Sequence, residues 1–145
     1  MEMRPQSAKN KGRKLQQWMC QQIIKELGVA CEDCRSCSMG ASGEDVQLSK
    51  SARKKFPYSV ECKNREQVNV WQSYRQAEAN APRATEPLLC IKRNKSKPLV
   101  VVDAEHFVGL IRRLNGHFEP LPPTLSDSTL RVFLSEPSVK PMPMP

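Results

Sequence analysis

The chain has 145 residues, about the length of one domain that can bury its own core without disulfides or metals as staples. Its 23 Lys and Arg against 15 Asp and Glu give a formal net charge of +8 and a pI of about 9.4, which favours a polyanionic partner. No apolar run approaches the length of a membrane span and the N-terminus lacks the apolar centre of a secretory signal, so a reducing cytoplasm is the expected setting, with no membrane partner.

Residues 1–10 are polar and are expected to form a flexible basic N-terminus, ahead of a folded domain over 11–116. Leu15, Trp18, Met19, Ile23 and Leu27 recur at helical spacing, which predicts an amphipathic helix over 12–27 with Gly28 as its stop. Residues 28–43 read as a loop, in which Gly40, Ser42 and Gly43 supply flexibility before a short strand at 45–48. Residues 49–57 read as a basic turn or short helical segment, and Pro57 leads into a strand over 58–63. Asn69 is placed to cap a helix that runs to residue 81, where Pro82 ends it. The nearly continuous apolar runs at 87–92 and 98–102 predict two strands covered on both faces. Asp103 then caps a last helix through residue 114, with Phe107, Val108, Leu110 and Ile111 as its inner face and Asn115-Gly116 as its stop. Seven of the 12 prolines follow residue 119, so 117–145 is expected to be a largely disordered Pro-rich tail, with 130–134 as a docking strand. The pattern as a whole predicts an α/β fold with a central sheet.

Six cysteines require a choice between metal, disulfide and thiol. Cys31, Cys34 and Cys37 are spaced like ligands, but structural zinc takes four and no second Cys-x-x-Cys pair exists. Cys20, the candidate fourth, falls on the buried stripe of the first helix, so reduced thiols rather than zinc are expected. Cys62 and Cys90 fit as small core residues of strands.

The richest segment is Tyr58-Ser-Val-Glu-Cys-Lys-Asn64. Along a strand, Glu61 and Lys63 share one face while Val60 and Cys62 share the other. A further acid, Asp45, ends a neighbouring strand and can complete an oxygen-lined site for a hard cation such as magnesium, with Lys63 beside the water or phosphate. Glu-x-Lys alone more often marks an edge strand with a solvent-exposed ion pair. The acid one strand earlier tips the reading toward phosphodiester cleavage. So do the basic clusters Lys9/Lys11/Arg13/Lys14, Lys50/Arg53/Lys54/Lys55 and Lys92/Arg93/Lys95/Lys97, each of which taken singly also fits a solvated loop.

The order helix, acidic strand, Glu-x-Lys strand, helix, strand, strand, helix resembles the PD-(D/E)xK nuclease superfamily. Within it, the chain is most similar to the small Holliday junction resolvases of archaea and related bacteriophage nucleases. The similarity spans residues 11–114 and rests on Lys11-Gly12, on Gly43-Glu44-Asp45-Val46 and on Ser59-Val60-Glu61-Cys62-Lys63. The resemblance implies a restriction-endonuclease-like fold, a central mixed β-sheet flanked by helices in the order α-β-β-α-β-β-α. It implies that Asp45 and Glu61 bind magnesium, with manganese as a substitute, and that the backbone carbonyl of Cys62 is a further ligand. Lys63 would orient or deprotonate the attacking water. DNA branched in the way of a four-way junction is the implied partner, and a symmetric homodimer the implied assembly. Gln72 and Gln76 fall where related nucleases contact DNA or brace the site, and Lys11, Arg13, Lys54 and Lys55 are placed to meet the backbone.

One position departs from the pattern. Those resolvases carry a glutamate four residues after the glycine, where this chain has Gln16. Helical spacing turns Gln16 inward with Met19, Cys20 and Ile23, and a neutral amide can bond a metal-bound water but adds no charge. Glu44 is a possible substitute, although strand alternation aims it away from Asp45. Two other readings remain open: a weak or inactive DNA-binding module, with or without zinc to stabilise it, and a restriction or repair nuclease acting on linear duplex. Trp71 and Tyr74 are expected to pack a helix, and His106 to sit on the last helix surface with no catalytic role.

Overall fold

The computed structural model describes residues 5–37 and 43–116, so the expected tail at 117–145, its strand at 130–134, and the glycine and serine at 40 and 42 lie outside the described residues. The chain divides into two compact units, 1–107 and 108–145; every described strand belongs to the first.

Helix α1 (Pro5–Leu27) starts earlier than its apolar pattern indicates, because proline suits a first helical turn and the polar residues after it are compatible with a helix. Residues 5–10 are thus helical rather than a flexible lead. Leu15, Met19, Cys20 and Ile23 form the buried stripe, and Gln16 is buried with them. Gly28 adopts the left-handed conformation (φ 65°) and donates to the Ile24 carbonyl at 3.1 Å, closing the helix as its type predicts.

The segment expected as a loop contains a strand. β1 (Cys34–Ser36) pairs antiparallel with β2 (Val46–Leu48), setting Cys34 against Leu48 and Ser36 against Val46. Three residues are too few to show an alternation, but burial of Cys34, Cys37 and Val46 supplies the apolar contact that holds the hairpin. Helix α2 (Lys50–Lys55) follows, capped by the Ser49 hydroxyl, which accepts from the Ala52 N–H.

β3 (Tyr58–Asn64), α3 (Val70–Asn80) and β4 (Glu86–Lys92) form a parallel crossover unit, and β5 (Leu99–Val101) adds antiparallel to β4. The sheet is therefore mixed. The Asn69 side chain caps α3 by accepting from the Gln72 N–H at 3.1 Å. Helices cover both faces of β3. Asn64 donates to the Lys11 carbonyl of α1, whereas Glu61, on the alternate face, is hydrogen-bonded by Asn80 of α3. Val60, Leu88, Leu89 and Cys90 are almost inaccessible and form the centre of the core.

Three expectations of burial are corrected. β5 is the sheet edge, and Leu99 and Val100 are about half exposed rather than covered on both faces. Helix α4 (Ala104–Leu114) has the expected Asp103 cap, which accepts from the His106 N–H at 2.9 Å, but none of its residues is buried. Apolar periodicity establishes a helix without showing that anything covers its face. Trp71 is 80% exposed and packs no core, because it lies on the side of α3 opposite the buried Ser73 and Ala77.

Candidate active site

Asp45 is held by three bonds to backbone groups. Its N–H donates to the Val60 carbonyl at 2.9 Å, its carbonyl accepts from the Cys37 N–H at 2.8 Å, and its Oδ2 accepts from the Cys62 N–H at 2.7 Å. The first and third fasten the β1–β2 hairpin to the edge of β3 beside Glu61 and Lys63. The carboxylate is thus placed by backbone geometry. Strand geometry places the Cys62 carbonyl on the same edge of β3 as its N–H.

Glu61 is 3% exposed, and its Oε1 lies 3.1 Å from Lys63 Nζ on the shared face of β3. Lys63 keeps a small opening to solvent. Burial raises the Asp45 carboxyl pKa against the lowering effects of the Cys62 N–H, Lys63 and the Gln16 amide. Burial also raises that of Glu61, and the Asp45 charge raises it further, while Lys63 and Asn80 pull it down. Buried Glu61 and part-buried Asp45 thus both resist ionisation, Glu61 partly because of the Asp45 charge, and a single lysine does not offset the cost. Such a pair gains from a cation.

Gln16 reinforces this. Its amide hydrogen-bonds Asp45, yet its buried Oε1 has no partner. A buried carbonyl oxygen left without a donor is costly unless a cation or a water meets it. Among the described residues no three His, Cys, Asp or Glu side chains gather at one point. A cation here would draw on the two carboxylates, the Cys62 carbonyl, the Gln16 amide oxygen and water, a donor set that suits magnesium, which retains several waters and needs one or two carboxylates. The donor set fits the ion.

No protein-family model, curated protein or solved structure matches the chain. The site is therefore read from its own geometry. A cavity of about 300 Å³ opens beside Lys63 and is lined by Arg65, Gln67, Asn69, Gln72 and Gln76. Gln72 and Gln76 thus share a cavity with Lys63, and no carboxylate is among its lining residues.

Other candidates are elsewhere. Glu44 is paired with Arg53, whose other nitrogen donates to the Tyr58 carbonyl at 2.7 Å, so it braces the β2–α2 region and does not substitute for the missing acid. Strand alternation had indicated as much. Lys11 donates to Asn94 Oδ1 at 2.6 Å and Lys55 to the Gly28 carbonyl at 3.4 Å, while Arg13 and Lys54 are exposed. None of these four lines the Lys63 cavity. Arg65 and Asn80 were missed. Arg65 lies two residues past Lys63 on the same alternation, a signal that could have been read, whereas nothing local links Asn80 to Glu61.

His106 is not a bare surface residue. Its Nε2 lies 2.6 Å from the Tyr58 hydroxyl and its Nδ1 3.9 Å from Glu86, far along β3 from Lys63. Among the cysteines, Cys20 and Cys34 are hydrogen-bonded between α1 and β1, and burial pushes the Cys20 thiol up to about 12. Cys62 and Cys90 are register partners on β3 and β4. All six cysteines are free thiols.

Proposed function

We propose that the chain is a metal-dependent DNA endonuclease of the PD-(D/E)xK type that hydrolyses phosphodiester bonds in branched DNA. The observation that carries it is the meeting of Asp45, Glu61 and Lys63 at one end of β3, in surroundings that disfavour the carboxylate charges, beside an opening free of acidic side chains. The mixed sheet with a helical crossover and helices on both faces of β3 supports the restriction-endonuclease-like form of the fold. The excess of basic residues supports a polyanionic substrate.

A bound magnesium or manganese ion would polarise the phosphate and lower the pKa of a water. Asp45 and Glu61 hold the ion's place, Asp45 fixed through the Cys62 N–H and Glu61 through Asn80 and Lys63. Lys63, drawn to Glu61 at 3.1 Å, is positioned to orient the attacking water and to steady charge that gathers on the phosphate oxygens. Gln72 and Gln76 offer amide donors to the strand outside. A homodimer would supply the second cut that a junction needs, and the setting is the cytoplasm of a bacterial or phage-infected cell.

A second reading, a DNA-binding module without activity, draws on the neutral Gln16 in a buried position beside Asp45. Labelled four-way junctions and their component duplexes, incubated with the purified chain and magnesium, decide between them. The nuclease reading expects cleavage of the junction above that of the duplexes and its loss in EDTA. Binding without cleavage in magnesium or manganese leaves the module.

A further inference from the structure

The cavity at Lys63 continues into a second groove. The two share Arg65 and Val68, and the second, of about 430 Å³, runs to the β4–β5 turn. Its rim carries Arg65, Lys92, Arg93 and Lys97 against one acid, Glu66. None of the four cations is in an ion pair among the described residues. Glu66 is occupied, since its Oε1 accepts the Asn94 N–H at 2.9 Å. The floor is apolar: Val68, Val70, Ile91 and Leu99.

The rim is built rather than accidental. The Arg65 N–H donates to the Lys92 carbonyl at 2.9 Å, which ties the end of β3 to β4. The β4–β5 turn is closed by Ser96, whose N–H and hydroxyl both donate to the Arg93 carbonyl, and Asn94 is gripped by Glu66 on one side and Lys11 on the other. The cations thus stand on fixed backbone, so meeting a ligand costs the ordering of their side chains but not of the chain that carries them.

Rim and floor together select the ligand. A paired helix presents phosphates and sugars outward and would engage the cations but leave the aliphatic floor bare. An unpaired strand offers phosphates to the rim and the face of an unstacked base to the floor. We propose that this groove holds a single-stranded arm of DNA beside the scissile phosphate, so that the substrate is a branch with an unpaired strand. The inference rests on the nuclease reading for its link to Lys63.

Binding is measured by fluorescence anisotropy on the full chain carrying Asp45→Asn, with a labelled blunt duplex and the same duplex bearing an unpaired arm. The arm is expected to tighten binding by about tenfold, the scale of one or two base contacts. Replacing Arg65, Arg93 and Lys97 together by serine removes that gain and lowers the slope of log affinity against log salt by about 2, at about 0.7 per phosphate of a single strand. Leu99→Gln, an uncharged change on an exposed edge residue whose replacement leaves the core intact, removes the gain through the floor without altering the rim charge. Equal affinity for blunt and armed probes, or a gain that survives these substitutions, overturns the proposal. Magnesium-dependent cleavage by the unmodified chain separates the two readings. Cutting with no preference for the arm sinks only the groove. An arm preference in binding with no cutting in magnesium or manganese keeps the groove and sinks the nuclease.

Discussion

At the Tyr58 end of β3 the Tyr58 hydroxyl meets His106 Nε2 at 2.6 Å, with Glu86 3.9 Å from the other ring nitrogen and a third exposed. At the Lys63 end the same strand carries Glu61, almost wholly buried, 3.1 Å from Lys63 and close enough to Asp45 that the Asp45 charge makes it harder to ionise. Both ends join an acid to a titratable partner. The first resolves into a satisfied contact between strand and helix, while the second retains two acids with raised pKa values and an amide oxygen, on Gln16, with no donor. Glu44, whose Oε2 is likewise buried without a partner, is already paired with Arg53, so the Lys63 end differs in combining two acids of raised pKa with a donorless amide, which favours it as the end that meets a ligand.

The largest effects should therefore come from the Lys63 end. Asp45→Asn and Glu61→Gln each remove a charge that a cation needs, worth several kcal/mol in the transition state, and are expected to lower the single-turnover cleavage rate by about 10³-fold or more. Junction binding in calcium should change little by comparison. Cleavage by both variants within tenfold of the parent would remove the contrast between the two ends. Lys63→Met comes next, with an expected loss of about 10² to 10³ in rate, because orienting the water and steadying the phosphate is a part of the barrier smaller than the ion itself. Its magnesium dependence should survive, which distinguishes it from the carboxylate variants in a metal titration.

The strand that carries this contrast was legible in the sequence because alternation fixes which residues share a face: Glu61 with Lys63, and Asn64 on the side of α1. Asn69 and Asp103 announced their helices by cap chemistry, and each makes the expected bond, whereas the Ser49 cap of α2 was not read from the sequence. The hairpin strand at Cys34 was not legible, since three residues carry no period and its stability comes from contacts with α1 and β2 that are remote in sequence. Exposure was misjudged at β5, α4 and Trp71 for one reason: apolar composition reports what a residue would gain by burial, not whether the fold provides a cover. The acids of the site were found by motif, whereas Arg53 as the partner of Glu44 and Asn80 as the partner of Glu61 depend on tertiary approach that no local pattern encodes.

Acidity offers a third way to sharpen the comparison. The carboxyls of Asp45 and Glu61 are raised above their usual values of 3.8 and 4.5, so the folded chain binds their protons more tightly than the unfolded one. Without metal, stability from this pair is greatest in acid, falls as the pH rises from about 4 through the folded pKa values, and remains lower at neutrality. Magnesium should reverse this at neutral pH, by about 1.4 kcal/mol at a free concentration ten times its Kd, and do less at pH 4, where protons compete with it for both groups. Melting curves with and without magnesium at the two pH values test it. Asp45→Asn should raise the metal-free melting temperature at neutral pH and abolish the magnesium response; a variant that melts lower and still responds would place the cation elsewhere.

The smallest effect belongs to the other end. Tyr58→Phe keeps the ring against Phe56 and His106 but deletes the hydroxyl, leaving His106 Nε2 without that partner. A part-buried neutral hydrogen bond contributes about 1 kcal/mol, so the melting temperature should fall by about 5 °C. Cleavage should stay within about twofold of the parent at a temperature where both chains are folded, because the hydroxyl is near the start of β3 and Lys63 five residues further along it. Strand β3 is rigidly paired with β4 over its whole length, so a loss at Tyr58 has no hinge through which to reach Lys63. A Tyr58→Phe enzyme that binds the junction normally but cuts it as poorly as Lys63→Met would show that the Tyr58–His106 contact positions the site as well as the helix, and the division of β3 into a structural end and a working end would fail.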